Sequence, residues 1–298
     1  MTEPSARLGS DIVHDWTFDA LGTGWTITVG DPIPNVVADA VTAELARIDR
    51  TWSRFRDDSI VAQASRQAGR YAIAATDQPL VDWYRALYDA TAGAVTPFVG
   101  QTLVDAGYDA QYSLVPAPTV RRVPAWDEVL HGHDRELLMT TPALIDVGAA
   151  GKGFAVDRVA KIIAGHTATF IVDGSGDLVV SVRDLPLRVG LEHPANPATA
   201  IGVVELTGGA ICASSVVRRS WSDWHHVIDG RTSAPARGVV ATWAVAESTM
   251  IADGLATALF FTPARELRAR LGIDFDYVTM YADGTAEWSA WPGLEMFS

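Results

Sequence analysis

A glycine-rich segment, IDVGAAGKGFAVDRVAKIIAG at residues 145–165, contains the first residues that could do chemistry. It joins an apolar run to an amphipathic helix. A glycine turn before a helix exposes unpaired backbone N–H groups at the positive end of the helix dipole, which favours anions such as phosphate. The spacing does not fit a P-loop, which has four residues between its first glycine and the Gly-Lys pair. It does not fit the G-x-G-x-x-G dinucleotide fingerprint either. The ligand of this segment therefore stays open at this point.

Two polar residues of the segment each have a structural and a functional interpretation. Lys152 lies at the start of the helix, where a cation opposes the dipole by about 0.3–1 kcal/mol unless an anion binds there. It is either a solvated lysine or an anion ligand. Asp146 is expected at the end of an apolar strand, where it either caps the following turn or accepts hydrogen bonds from hydroxyl or ring N–H groups of a ligand.

A carboxylate and a hydroxyl share one face of a later predicted helix. Asp253 and Thr257 are spaced i, i+4, so their oxygens can reach a common point. They would form a weak magnesium site, because Mg²⁺ takes one or two carboxylates and completes its shell with water and phosphate oxygens. The alternative is an ordinary polar face on which the threonine bonds to its own backbone.

A histidine pair occurs in WHHVIDGRTSAP, residues 224–235. Strand alternation would place Trp224, His226 and Ile228 on one side and His225 on the other. His226 is then either a core histidine or a general base, since an ordinary histidine pKa near 6.5 leaves much of the ring neutral at cytoplasmic pH.

The elements that must position these residues are read from hydrophobic periodicity and from Gly and Pro. WTFDALGTGWTITVGD predicts a hairpin turning at Leu21 to Gly24. Helices are predicted at 36–55, 77–93 and 247–267, and a further helix ends at Gly165. Strands are predicted at 137–148 and on both sides of a glycine turn in 169–182. Strands and helices do not alternate strictly, which predicts an α+β fold with mixed sheets and helices packed in two lobes.

Composition excludes several classes of protein. The 298 residues are 48% apolar and 20% charged, enough for a large core, and the net charge of -13 argues against nucleic acid or anionic membrane as a partner. The single cysteine, Cys212, excludes an internal disulfide. The N-terminal tail, 1–15, has no signal-peptide pattern, and no apolar run reaches about 18 residues. We therefore expect a cytoplasmic protein without a membrane anchor.

The order of the motifs resembles one family. FDALGTGWTITV is similar to an opening strand with a Met-Gly-Thr turn, DRTWSRF to D-x-x-(F/W)-S-x-(Y/F), and GAVTPF to G-x-F-D-P-T. The glycine-rich segment is similar to D-L-G-G-I-A-K-G-Y-A-V-D, VDGSGD to N-x-G-G-D, and CASSVVRR to A-T-S-G-x-x-R-R. HHVIDGRTSAP and STMIADGLATALF complete the series. Together they resemble the ApbE family of FAD:protein FMN transferases over almost the whole chain, which implies a single domain at 16–298.

The resemblance implies roles only where residues match. Asp146 and Lys152 would contact FAD, and His226 would deprotonate the acceptor hydroxyl. The implied metal ligands are the Ala149 carbonyl, Asp253 and Thr257. The remaining implied flavin contacts are Leu21, Phe55, Ala94, Val95, Thr96, His226 and Val227.

The implied activity is Mg²⁺-dependent transfer of FMN from FAD to a Thr or Ser hydroxyl of a partner flavoprotein, with release of AMP. The alternatives are a Mg²⁺-dependent FAD hydrolase, which forms FMN and AMP, and a non-catalytic flavin-binding protein. The chain departs from the family pattern at five positions, more of them in the flavin pocket than in the metal site. Leu21 replaces methionine, Thr96 aspartate, Phe98 threonine, Gly230 proline and Ser233 glycine.

Overall fold

A computed structural model describes residues 14–131, 135–182, 186–217 and 219–297. Most of the expected tail lies outside these ranges, and the first strand already begins at His14. The α-helices of the described residues are α1 Asn35–Trp52, α2 Ile60–Ala64, α3 Gln78–Ala90, α4 Gly100–Asp105, α5 Trp126–Val129, α6 Gly151–Ala164, α7 Thr249–Ala258 and α8 Ala264–Leu271. None of them combines the length and the hydropathy needed to cross a bilayer.

The strands form one large sheet and several small ones. They are β1 His14–Ala20, β2 Thr23–Val29, β3 Gly69–Ala72, β4 Glu136–Met139, β5 Phe170–Asp173, β6 Asp177–Ser181, β7 Leu187–His193, β8 Asn196–Leu206, β9 Gly208–Ser215, β10 Ser220–Trp221, β11 Trp224–His225, β12 Ile228–Asp229, β13 Ala234–Pro235, β14 Val239–Ala246, β15 Asp276–Tyr281, β16 Ala286–Trp288 and β17 Leu294–Met296. The eight-stranded sheet has the order β1-β2-β5-β6-β9-β14-β15-β16, with antiparallel neighbours. The α+β class is confirmed.

The hairpin between β1 and β2 turns more tightly than expected. Ala20 pairs with Thr23, so only Leu21 and Gly22 form the turn, and Gly24 already lies within β2. Leu21 and Gly22 have φ angles of 52° and 74°, as a type I′ turn requires. Positive φ is uncommon for leucine, because its Cβ crowds the backbone. Packing of Leu21 against the core accompanies this conformation.

Two predicted elements are wrong in extent. The strand expected at 137–148 ends at Met139, and the chain around Asp146 is irregular. Pro142 offers no N–H group, and the Asp146 N–H bonds to the Pro97 carbonyl in another loop at 2.7 Å. The helix expected at 247–267 divides into α7 and α8 just before Pro263, which disfavours helical backbone at the residue before it.

Helices α6 and α7 approach each other closely at their N-terminal ends. A Cβ at Gly153 would overlap the Thr249 carbonyl and the Asp253 Cβ, so this approach requires glycine. The Asp157 carboxylate of α6 accepts hydrogen bonds from the backbone N–H groups of Thr249 and Met250 at 2.8 and 2.9 Å. These bonds satisfy free donors at the start of α7. The two helix starts are therefore fixed side by side.

Candidate active site

The predicted site residues meet around one cavity of about 490 Å³. Its walls come from the β1–β2 turn, the segment after α1, the loops around Thr96 and Tyr108, the start of α6, and the strands near His226. Two predicted site residues, Ala94 and Asp253, are buried and do not line the cavity. The predicted residues that line the cavity are Leu21, Phe55, Val95, Thr96, Asp146, Ala149, Lys152, His226, Val227 and Thr257.

Asp146 is held by two partners. Its Oδ1 accepts the Gly148 N–H at 2.7 Å, which is the turn-capping interaction expected from the sequence. Its Oδ2 accepts the Nε–H of Arg54 at 2.5 Å, and the Arg54 side chain is only 2% exposed. The guanidinium also donates to the Tyr108 carbonyl at 2.8 Å and lies 4.1 Å from the centre of the Phe55 ring. Asp146 therefore presents its carboxylate to the cavity in a fixed orientation.

Lys152 is not a solvated lysine, because it forms an ion pair with a buried carboxylate. Its Nζ lies 3.2 Å from Asp177 Oδ2 and donates to the Ser175 carbonyl at 3.1 Å. Burial disfavours the charged amine, but the charges of Asp177 and Asp253 outweigh it and raise the pKa of Lys152. Burial also raises the pKa of Asp177, and Lys152 opposes that effect. The lysine thus brings a stable positive charge to the cavity wall.

Two side chains of α7, Asp253 and Thr257, lie against the segment where α6 begins. Thr257 Oγ1 lies 3.4 Å from the Ala149 carbonyl oxygen, and Asp253 lies one turn earlier on α7. The Tyr84 hydroxyl accepts the Ala149 N–H at 3.0 Å and fixes that peptide. Asp253 Oδ2 accepts the Gly153 N–H at 2.9 Å, and burial raises the pKa of Asp253 well above its usual value.

This donor set fits magnesium. A buried carboxylate, a hydroxyl and a carbonyl are hard oxygen ligands of the kind that Mg²⁺ prefers. Within the described ranges, no group of three or more His, Cys, Asp or Glu side chains is arranged to hold a metal ion. A metal at this point would therefore depend on mixed side-chain and backbone oxygens together with oxygens of a ligand.

His226 lies between two short strands and not within one continuous strand. β11 ends at His225 and β12 begins at Ile228, so the predicted alternation is broken and His226 faces the cavity. Burial, followed by the charges of Arg219 and His225, lowers the pKa of His226 to about 4. Its Nδ1 is buried without a hydrogen-bond partner among the described residues. At neutral pH the ring is neutral and can accept a proton.

His225 is the structural member of the histidine pair. Its Nε2 lies 2.9 Å from the Ala236 carbonyl, and its Nδ1 accepts the Val227 N–H at 3.2 Å. Both ring nitrogens are therefore used in holding the loop. His225 therefore has a structural role, whereas the neighbouring His226 lines the cavity.

The cavity residues that were not predicted from the sequence include Arg54, Tyr108, Tyr112 and Arg219. The Phe55 and Tyr112 rings stack 5.6 Å apart, and Tyr108 stacks on Trp221 at 5.6 Å. These residues lie in loops, where periodicity gives no signal. Only the position of Arg54 next to Phe55, and of Arg219 within CASSVVRR, could have indicated them.

Three of the departures from the family pattern have structural roles. Phe98 is buried and packs edge-on against Trp126. The Gly230 N–H bonds to the Ala94 carbonyl at 2.9 Å, and a Cβ there would overlap the Gly93 carbonyl. Ser233 Oγ accepts the Val123 N–H at 2.9 Å. These substitutions secure the loops behind the cavity.

The chain as a whole is similar to known proteins. The model of the ApbE family matches residues 21–275. A FAD:protein FMN transferase of Treponema pallidum (strain Nichols) is 27% identical over 72% of this chain and 68% of its own length. A FAD:protein FMN transferase of Rhodobacter capsulatus is 30% identical over 40% of this chain, but this match spans only 24% of that relative.

Solved structures show the same fold. An ApbE protein of Thermotoga maritima superposes with a TM-score of 0.82 at 23% identity, covering 93% of this chain and 97% of that one. The flavin transferase ApbE of Vibrio cholerae superposes with a TM-score of 0.76 at 19% identity, covering 94% and 97%. Because the family model spans most of the sequence, the chain belongs to the ApbE family.

Proposed function

We propose that this protein transfers the FMN moiety of FAD to a Thr or Ser hydroxyl of a partner flavoprotein and releases AMP. The observation that carries the proposal is the convergence of His226, Asp146, Lys152 and the oxygens of Ala149 and Thr257 on one cavity. A neutral histidine beside fixed oxygen donors is the arrangement that phosphoryl transfer to a hydroxyl requires. The relatives named as FAD:protein FMN transferases support the same reaction.

The reaction assigns a task to each group. The acceptor hydroxyl oxygen forms a bond to the FMN phosphorus, and the phosphorus–oxygen bond to the AMP half breaks with its electron pair. The hydroxyl proton passes to His226, which is neutral because its pKa is about 4. Asp146 accepts hydrogen bonds from the substrate, and the Lys152 charge faces its phosphates. When bound by Asp253, Thr257 and the Ala149 carbonyl, Mg²⁺ would neutralise charge on the phosphate oxygens.

The direct test is to incubate the protein with FAD, Mg²⁺ and candidate flavoprotein acceptors, and to search each acceptor by mass spectrometry for added FMN. AMP should appear in equal amount. Release of free AMP and free FMN, with no FMN attached to any acceptor, would instead identify an FAD hydrolase. Neither product, with FAD still bound, would identify a flavin-binding protein and refute the proposal.

Replacing His226 tests whether this histidine is a general base or has only a structural role. Replacing it with alanine should slow FMN transfer by roughly 10²–10⁴-fold, the usual loss on removal of a general base, while FAD binding persists. Release of AMP to water should fall less. The matched control is Thr28→Val, which removes a buried hydroxyl that donates to Asp15 Oδ1 at 2.6 Å between β2 and β1, outside the cavity lining. Unchanged transfer in His226→Ala would contradict the assignment.

A further inference from the structure

Among the residues that the structure describes, four Lys and Arg side chains lie in the cavity wall: Arg54, Arg56, Lys152 and Arg219. Three of them form ion pairs with carboxylates. Arg54 pairs with Asp146, Lys152 with Asp177, and Arg56 with both Asp49 and Asp58.

Arg219 differs from the other three. Its side chain is exposed, and among the described residues no carboxylate lies within ion-pair distance of it. In a protein of net charge -13, an arginine in the cavity wall with no carboxylate partner in the described part of the chain can offer its five N–H donors to an anionic ligand.

A short hairpin fixes the position of Arg219 relative to His226. β10 and β11 pair with Ser220 opposite His225 and Trp221 opposite Trp224. Continuing this antiparallel register by one residue places Arg219 opposite His226. The Trp221 indole N–H donates to the Ala106 carbonyl at 2.8 Å and anchors the hairpin to the loop before Tyr108.

The charge of Arg219 extends over the reacting part of the cavity. It contributes to the lowered pKa of His226, after burial, and it opposes the raised pKa values of Tyr108 and Asp253. Arg219 itself lines the cavity, together with Tyr108 and His226.

We propose that Arg219 binds the pyrophosphate oxygens of FAD beside His226 and stabilises the negative charge that develops during phosphoryl transfer. This inference rests on the proposed function and deepens it. The guanidinium stays protonated throughout, while the hydroxyl proton goes to His226 and the bonding electrons leave with AMP. An arginine suits this task because its planar donors can hold two phosphate oxygens at once.

The test compares Arg219→Gln, Arg219→Lys and the matched control Arg188→Gln, which removes an exposed charge outside the cavity lining that is already paired with Glu205 and Glu295 at 3.3 and 3.5 Å. Affinities for FAD and for riboflavin, which has no phosphate, are measured by titration of flavin fluorescence. Arg219→Gln should weaken FAD binding by about tenfold or more and leave riboflavin binding unchanged within about twofold. Arg219→Lys should lie between, because a lysine keeps the charge but loses the bidentate geometry.

Turnover gives an independent readout. Arg219→Gln should lower kcat for AMP release at saturating FAD by roughly 10²-fold or more, as expected when a donor to the transition state is lost. Arg188→Gln should match the wild type. Equal weakening of FAD and riboflavin binding, or wild-type affinity and kcat in Arg219→Gln, would overturn the proposal. If the wild type binds FAD more tightly than riboflavin but releases no AMP, the proposed function fails while the binding comparison still decides the role of Arg219.

Discussion

Replacing Arg54 with methionine removes one half of the ion pair that fixes Asp146. The Arg54 and Asp146 side chains are 2% and 14% exposed, so the remaining carboxylate would keep only the Gly148 N–H and limited solvent. Breaking a buried pair by deleting one partner costs about 3–5 kcal/mol. The partial exposure of Asp146 puts the ion-pair loss near the lower end, and loss of the contacts with the Phe55 and Tyr108 rings adds about 0.5–1 kcal/mol. We therefore expect a loss of about 3–4 kcal/mol.

Chemical denaturation measures this loss directly, and Arg66→Met is the matched control. Arg66 faces Asp57 at 3.7 Å with both side chains well exposed, so its replacement should cost less than about 1 kcal/mol. The double variant Arg54→Met with Asp146→Asn should be more stable than the sum of the single losses predicts, by about 0.5–3 kcal/mol, because the unpaired charge is gone. Equal losses for Arg54→Met and Arg66→Met would refute the assignment of a tightly coupled pair.

Three further predictions concern the helix contact, the histidine and the metal donors. Gly153→Ala should destabilise the fold by about 1–3 kcal/mol or more, whereas Gly165→Ala at the end of α6, with only the Ile162 carbonyl nearby at 3.3 Å, should be close to neutral in thermal unfolding. Because the pKa of His226 is lowered to about 4, lowering the pH from about 6.5 toward 4 should cost roughly 3 kcal/mol of unfolding free energy. The unfolded chain binds a proton in this range and the folded chain does not; His226→Gln should lack this component when ΔG is measured against pH. Asp253→Asn should remain folded, since its side-chain oxygen can still accept the Gly153 N–H, but it should lose any rise in Tm on addition of Mg²⁺.

Periodicity predicted the long elements of this fold well and their ends less well. Helix α3 follows its predicted span because Leu80, Tyr84 and Leu87 mark one buried face. The prediction that a strand carries Asp146 is wrong. The apolar run there contains a proline, and the Asp146 backbone N–H bonds to a carbonyl of another loop instead of a neighbouring strand. Asp253 was expected on a helix surface, yet it is 4% exposed because Gly153 brings α6 against α7. Such burial depends on contacts between distant segments, which a single sequence does not encode locally.

Two charged residues of the candidate site were predictable from the sequence, but their ion-pair partners were not. The sequence indicated Asp146 and Lys152 as ligand-binding groups, and both reach the cavity wall, but each already has a buried partner of opposite charge. Neither partner could be inferred from spacing, since Arg54 and Asp177 come from other parts of the chain. Pairing reduces the net field that Lys152 offers a phosphate, whereas Arg219 retains its full charge. The electrostatic attraction for an anionic substrate should therefore come chiefly from the β10–β11 hairpin that carries Arg219, and less from the glycine-rich segment that carries Lys152.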